Sequence, residues 1–194
     1  MTAPHADLSA QLERAWDDVL RDRTGLFSLE LRSGDALVAA RDAHVRHYPA
    51  STIKLAVLVA LLHGRTARVP AAHGSVLVHD EFPSTAGGTF RLDQSGDQDD
   101  ETWERLGTEV DLLDLADRMV TASSNIATDL IMERIGFAAV RRTMEDLGLA
   151  AELRVDRLIG DDAGEAAGTT NSVTASALAR LMTSLATGLD PDSV

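Results

Sequence analysis

The sequence predicts an α/β fold, with a helical subdomain plus an incomplete antiparallel sheet packed on the N-terminal helix. Three observations carry this reading. An amphipathic helical pattern opens the chain, a hairpin of period two follows it, and further helical patterns fill most of what remains. With 194 residues and 44% hydrophobic content, the chain can bury a sizeable core. It reads as one domain over 1–194, in which 1–45 supply the helix and hairpin and 46–188 the mainly helical part.

The opening helix rests on Leu8, Leu12, Trp16, Val19 and Leu20, which share a face opposite Asp and Arg, with Gly25 as its expected stop. In Leu26 to Arg32, the residues Phe27, Leu29 and Leu31 alternate with Ser28, Glu30 and Arg32, a strand pattern. Ser33-Gly34-Asp35 is a turn, and Ala36 to Ala40 the return strand. From Ser51 to Leu62 the chain is apolar all round except for Lys54, the pattern of a buried helix. Arg65 to Arg105 is loop-rich, and its acidic run Asp97 to Glu101 reads as a solvated face rather than a calcium loop. Helices are expected over Leu112 to Met119, Asn125 to Ile135 and Ala138 to Leu147, the last two stopped by Gly136 and Gly148. Val155 to Gly168 is a loop, and Thr174 to Ala186 a final helix stopped by Gly188. Only two strands are visible, and a lone hairpin is marginal in water.

Composition excludes several function classes. The formal net charge of −13 disfavours nucleic acid, which is bound by basic surfaces. The absence of cysteine removes disulfides, Cys-ligated zinc and a thiol nucleophile. His44, His47, His73 and His79 lack the clustered spacing of a metal site, so no metal and no cofactor is expected. His44 and His47 are expected to line the loop before Ser51. The longest apolar run, Leu55 to Leu62, is too short to span a bilayer. Met1 to Asp18 has neither the basic region nor the apolar stretch of a secretory leader, so the chain as it stands reads as cytoplasmic. Nothing in the sequence sets an oligomeric state.

One count is sharper. Of 18 basic residues, 17 are arginine, and the single lysine is Lys54. It lies three residues after Ser51, so on a helix begun near Ser51 the two side chains share a face among apolar neighbours. Burial lowers a lysine pKa, and a neutral lysine beside a hydroxyl is a base poised on a nucleophile. Arginine cannot serve, because it does not deprotonate in proteins. The plain alternative is a capped core helix with a snorkelling lysine. A second polar knot, Ser123-Ser124-Asn125, lies between two apolar helices, where either serine could also be a helix cap.

Taken together, YPASTIKL, MVTASSNIATDLIMERIG and TTNSVTASALARLM resemble the penicillin-recognising serine hydrolases, most closely the class A β-lactamases. That family carries Ser-x-x-Lys, Ser-Asp-Asn and Lys-Thr-Gly. The resemblance implies a β-lactamase/DD-peptidase-like fold and acyl transfer from a small-molecule β-lactam or D-alanyl-type amide. It implies that Ser51 is the acyl-accepting nucleophile, its N–H half of an oxyanion hole, and that Lys54 handles the serine proton. Ser123 would relay a proton to the departing nitrogen, and Asn125 would hold the substrate amide and Lys54. Relatives of this family are usually exported.

The sequence departs from the pattern at three points. Ser124 replaces the Asp of the second motif. Ile159 stands where the family loop carries the Glu that activates water, with Asp161, Asp162 and Glu165 as possible substitutes. Lys-Thr-Gly is absent, since the only lysine is Lys54, which suggests a domain truncated before its C-terminal strands. Besides a β-lactamase-like hydrolase, a D-alanyl carboxypeptidase or esterase, a slow penicillin-binding relative, and a non-catalytic binding relative all remain compatible with these residues.

Overall fold

A computed structural model describes residues 3–187. Its elements run α1 (Ala3–Leu20), β1 (Leu29–Ser33), β2 (Ala36–Arg41), α2 (Ile53–Thr66), β3 (Ser75–Leu77), β4 (Glu81–Pro83), β5 (Thr89–Arg91), α3 (Asp100–Trp103) and β6 (Glu109–Asp111). They continue with α4 (Leu112–Thr121), α5 (Asn125–Ile135), α6 (Phe137–Asp146), β7 (Leu153–Arg154), α7 (Asp162–Ala166), β8 (Ser172–Val173) and α8 (Ala175–Thr187). The fold is mixed α/β, as expected from the patterning.

The predicted hairpin is the antiparallel pair β1–β2, with a register shift between Leu31 and Arg32. It is not isolated, because α1 packs on β2 and α8 on β1. That packing supplies the apolar cover a two-stranded sheet lacks alone. The reading of only two strands is corrected by three further antiparallel pairs: β3–β6, β4–β5 and β7–β8. Each strand in them has two or three residues, too few for an alternating pattern to register.

Helix α2 is the core element. Ala56, Val57, Val59 and Leu61 have no exposed surface, and α4, α5, α6 and α8 pack around the helix. Burying each of the Val and Leu side chains among them contributes about 1.5–3 kcal/mol. The helix is entered through a 3-10 turn, Ala50–Thr52, so the regular α-helix starts two residues later than the apolar pattern. Ala50 has φ +46°, a left-handed conformation that costs a non-glycine residue roughly 1–2 kcal/mol.

Other boundaries shift for local reasons. α1 ends at Leu20, not Gly25, because Arg21 to Thr24 are exposed and extend no apolar stripe. β1 begins at Leu29, and Leu26 is left exposed. α5 has the expected bounds, and Gly136, at φ +79°, turns the chain directly into α6. The expected loop Val155 to Gly168 contains α7, which Asp161 caps by accepting from the Gly164 N–H. Likewise Arg65 to Arg105 holds β3, β4, β5 and α3. The expected stop at Gly188 lies outside the described residues.

Candidate active site

Two segments meet at the N-terminal end of α2, and a third is fastened to α5. The 3-10 turn places Ser51 at the surface, and one helical step further Lys54 is 3% exposed. The α4–α5 connection supplies the second segment. Ser123 takes φ +53° there, which lets the chain reverse between two helices in three residues. The third is the loop between β7 and β8, closed at its neck by Asn171. The Asn171 Oδ1 accepts from the backbone N–H of Asp156 (2.7 Å) and Arg157 (3.1 Å), and its Nδ2 donates to Arg157 O (3.1 Å).

The four residues singled out in the sequence come together. Lys54 Nζ lies 2.5 Å from Ser123 O, 2.9 Å from Asn125 Oδ1, 3.0 Å from Ser123 Oγ and 3.4 Å from Ser51 Oγ. Ser123 Oγ is 3.0 Å from Ser51 Oγ. Asn125 Nδ2 donates to Gly96 O at 3.1 Å, which fixes the amide so that its oxygen faces the lysine. Burial lowers the Lys54 pKa, opposed by the charges of Asp97 and Asp129. A lysine of this kind gives up its proton more readily than a surface lysine, within reach of two hydroxyls.

The acidic run is not a solvated face throughout, and this corrects the sequence reading. Asp97 and Asp99 turn inward. The start of α5 presents unpaired N–H groups, and the Asp97 carboxylate accepts from Asn125 N (3.0 Å to each oxygen) and Ile126 N (2.9 Å). Ser124 Oγ takes the next N–H, from Ala127, at 3.2 Å. Asp99, 1% exposed, pairs with Arg118 and accepts from Thr102 Oγ1. Asp100 and Glu101 remain exposed.

Asp129 also escaped the sequence reading, although it lies one turn after Asn125 on the same face of α5. It is fully buried, and its Oδ1 accepts from the Ile159 N–H at 2.9 Å. Burial pushes this carboxyl well above the usual range. Among the described residues, its Oδ2 has no partner. The acids considered as substitutes for a loop Glu are otherwise engaged or exposed. Asp161 accepts from Ser84 Oγ (2.6 Å), Thr85 N and Thr85 Oγ1 (both 2.8 Å). Burial pushes its carboxyl up, but these bonds outweigh that and bring it down to about 2. Glu165 pairs with the buried Arg157 at 2.6 Å, and Asp162 is exposed on α7.

The histidines are dispersed. His44 Nδ1 meets Glu152, His47 Nε2 meets Ser28 Oγ, and His79 Nε2 meets Glu133. In the segment before Ser51, the His47 backbone forms a bridge with Val173. Among the described residues, no group of three or more His, Cys, Asp or Glu is placed to hold a metal ion, and no helix is long and apolar enough to cross a membrane.

A family model described as the beta-lactamase enzyme family matches residues 8–193. No curated protein matches the chain. Among solved structures, a beta lactamase from Xanthomonas campestris pv. campestris is similar at TM-score 0.70 and 20% identity, over 96% of this chain and 65% of that one. A class A beta-lactamase representative from Bacteroides cellulosilyticus is similar at TM-score 0.68 and 18% identity, over 91% and 61%. A PBP-A mutant, described as an acyl-enzyme complex with penicillin-G, is similar at TM-score 0.62 and 21% identity, over 92% and 62%. The chain thus spans less than two thirds of the length of each of these structures.

Proposed function

The chain belongs to the beta-lactamase enzyme family, and on that premise we propose that it is a serine hydrolase that opens β-lactam-type amides through an acyl-Ser51 intermediate. One observation carries this reading. Lys54 Nζ, buried, stands within hydrogen-bond reach of both Ser51 Oγ and Ser123 Oγ, which also reach each other.

In the proposed step, Ser51 Oγ attacks the amide carbonyl carbon as its proton passes to neutral Lys54 Nζ. The backbone N–H of Ser51, in the first turn of a helix where no helical acceptor is available, donates to the developing oxyanion. When the C–N bond breaks, the proton returns from Lys54 through Ser123 Oγ to the departing nitrogen, leaving an ester on Ser51. Asn125, its oxygen on Lys54, orients the lysine and the substrate amide.

Release of the ester is the slower half of the proposed reaction. Ile159 presents an apolar side chain at the pinned point of the loop, while Asp161 and Glu165 are committed to other partners. This favours penicillin-binding or D-alanyl carboxypeptidase-like behaviour over rapid hydrolysis. The PBP-A neighbour in acyl-enzyme complex with penicillin-G supports the substrate class.

The test is intact-mass measurement after incubation with a penicillin, with Ser51→Ala as control. A mass increase of one penicillin per chain, lost in the variant, is expected. Rapid turnover of a chromogenic cephalosporin would replace slow release by full lactamase activity. A wild type that neither takes up the label nor turns over substrate overturns the reading.

A further inference from the structure

One dipeptide grips Asn125 from two sides. Gly96 O accepts from the Asn125 side chain, and the Asp97 carboxylate accepts from the Asn125 and Ile126 backbone N–H groups. The carboxylate is itself held by Trp103 Nε1 (3.1 Å) and by the backbone N–H of Gln98 (2.8 Å). Asn125 Oδ1 then reaches Lys54 Nζ at 2.9 Å. A continuous chain of hydrogen bonds therefore runs from Trp103 through Asp97 and Asn125 to the lysine.

The second link is electrostatic. Lys54 is faced by Ser51 from its own turn, by Ser123 from the α4–α5 connection, by Asn125 and Asp129 from α5, and by Asp97 from the loop before α3. The titratable groups among these are Asp129 and Asp97, and Asp161 acts in turn on Asp129. Burial favours the neutral form of Asp129. Both carboxyl groups act on the lysine, and the Asp97 carboxylate is the one bound to the start of α5. Ser124, inside the second motif, is neutral and caps the same helix, so the carboxylate at this helix start comes from outside the motif.

We propose that Asp97 is a positioning residue of the site: its carboxylate fixes the start of α5, and so holds Asn125 against Lys54, while its charge acts on the lysine. This rests on the roles proposed above for Ser51 and Lys54. A purely structural cap would set the stability of α5 without changing how Lys54 titrates.

Because Lys54 is the only lysine, full chain grown with carbon-13 at lysine Cε gives one lysine side-chain NMR signal. Its titration midpoint separates the two roles. Asp97→Asn keeps an acceptor oxygen and removes the charge. Its midpoint is expected to fall by about 0.5–1 pH unit, and the acid limb of penicillin acylation to move to lower pH by the same amount. Asp97→Glu, which keeps the charge, is expected to hold the midpoint near the wild-type value. An unmoved midpoint in folded Asp97→Asn overturns the proposal, whether or not the wild type takes up penicillin. A shifted midpoint in a chain that takes up no penicillin supports the coupling while overturning the hydrolase reading. Asp97→Ser is the second neutral variant, and if circular dichroism shows both neutral variants unfolded, Asp97 serves the fold alone and the proposal falls.

Discussion

Asp129 and Ile159 are joined by a single hydrogen bond, in which the backbone N–H of the loop residue donates to a carboxyl oxygen on α5 at 2.9 Å. The loop is thus fastened to the helix that also carries Asn125. Because burial raises the Asp129 pKa above its unfolded value, its contribution to stability is fully present below the unfolded pKa and is lost as pH rises through the folded one. Asp129→Asn keeps an acceptor for Ile159 and removes the ionisation. The melting temperature of the variant relative to wild type is therefore expected to rise with pH above about 4. Melts over a pH series check this, and a pH-independent difference contradicts it.

Lys54→Arg tests the base directly. Arginine keeps hydrogen-bond donors but does not deprotonate. Acylation of Ser51 is expected to slow by about 10²–10⁴-fold, the usual worth of a positioned general base. Time-resolved intact mass reads this, and near wild-type labelling would remove Lys54 from the proton path. In the wild type, the lowered Lys54 pKa predicts that labelling extends below the pH range where an ordinary lysine is neutral.

Ile159→Glu places a carboxylate at the fastened point of the loop. If slow release reflects the lack of a base there, the acyl adduct is expected to disappear at least 10-fold faster than in wild type, within the reach of general-base catalysis. The decay of adduct mass after removing excess penicillin measures it. An unchanged decay would locate the slow step elsewhere.

Asp161→Ala should loosen the same loop from its other side. The carboxylate is buried and accepts from Ser84, Thr85 and Gly164, so its loss leaves donors unpaired and is expected to cost about 2–3 kcal/mol. With its pKa held down at about 2, the wild-type contribution is present above the unfolded carboxylate value and lost as pH falls toward 2. Urea unfolding at pH 7 and pH 3 separates these effects, and the gap between variant and wild type is expected to narrow at the lower pH.

The parts of this molecule that were legible in the sequence are those with local grammar. Ser51 and Lys54 are one helical turn apart, Ser123 and Asn125 are neighbours, and the α5 pattern ends at a glycine, so each could be read within a few residues. The hairpin declared itself by alternation. Asp97 and Asp129 could not be read this way, because their partners lie on other segments: Asn125 for the first, Ile159 for the second. A carboxylate that caps a distant helix looks, in sequence, like any other member of an acidic run. The strands of two and three residues were hidden because a period needs several repeats to be seen, and α7, five residues long, fell below that threshold too.

Two residues beside the nucleophile, Ala50 at φ +46° and Ser123 at φ +53°, hold conformations that most side chains avoid. Each costs on the order of 1–2 kcal/mol, met by the packing of α2, α4 and α5 when the chain folds. Ser51 and Ser123 are consequently preorganised at 3.0 Å before any substrate arrives. The reorganisation that two hydroxyls and an amine would need in water is completed during folding, and the acyl-transfer step does not have to supply it.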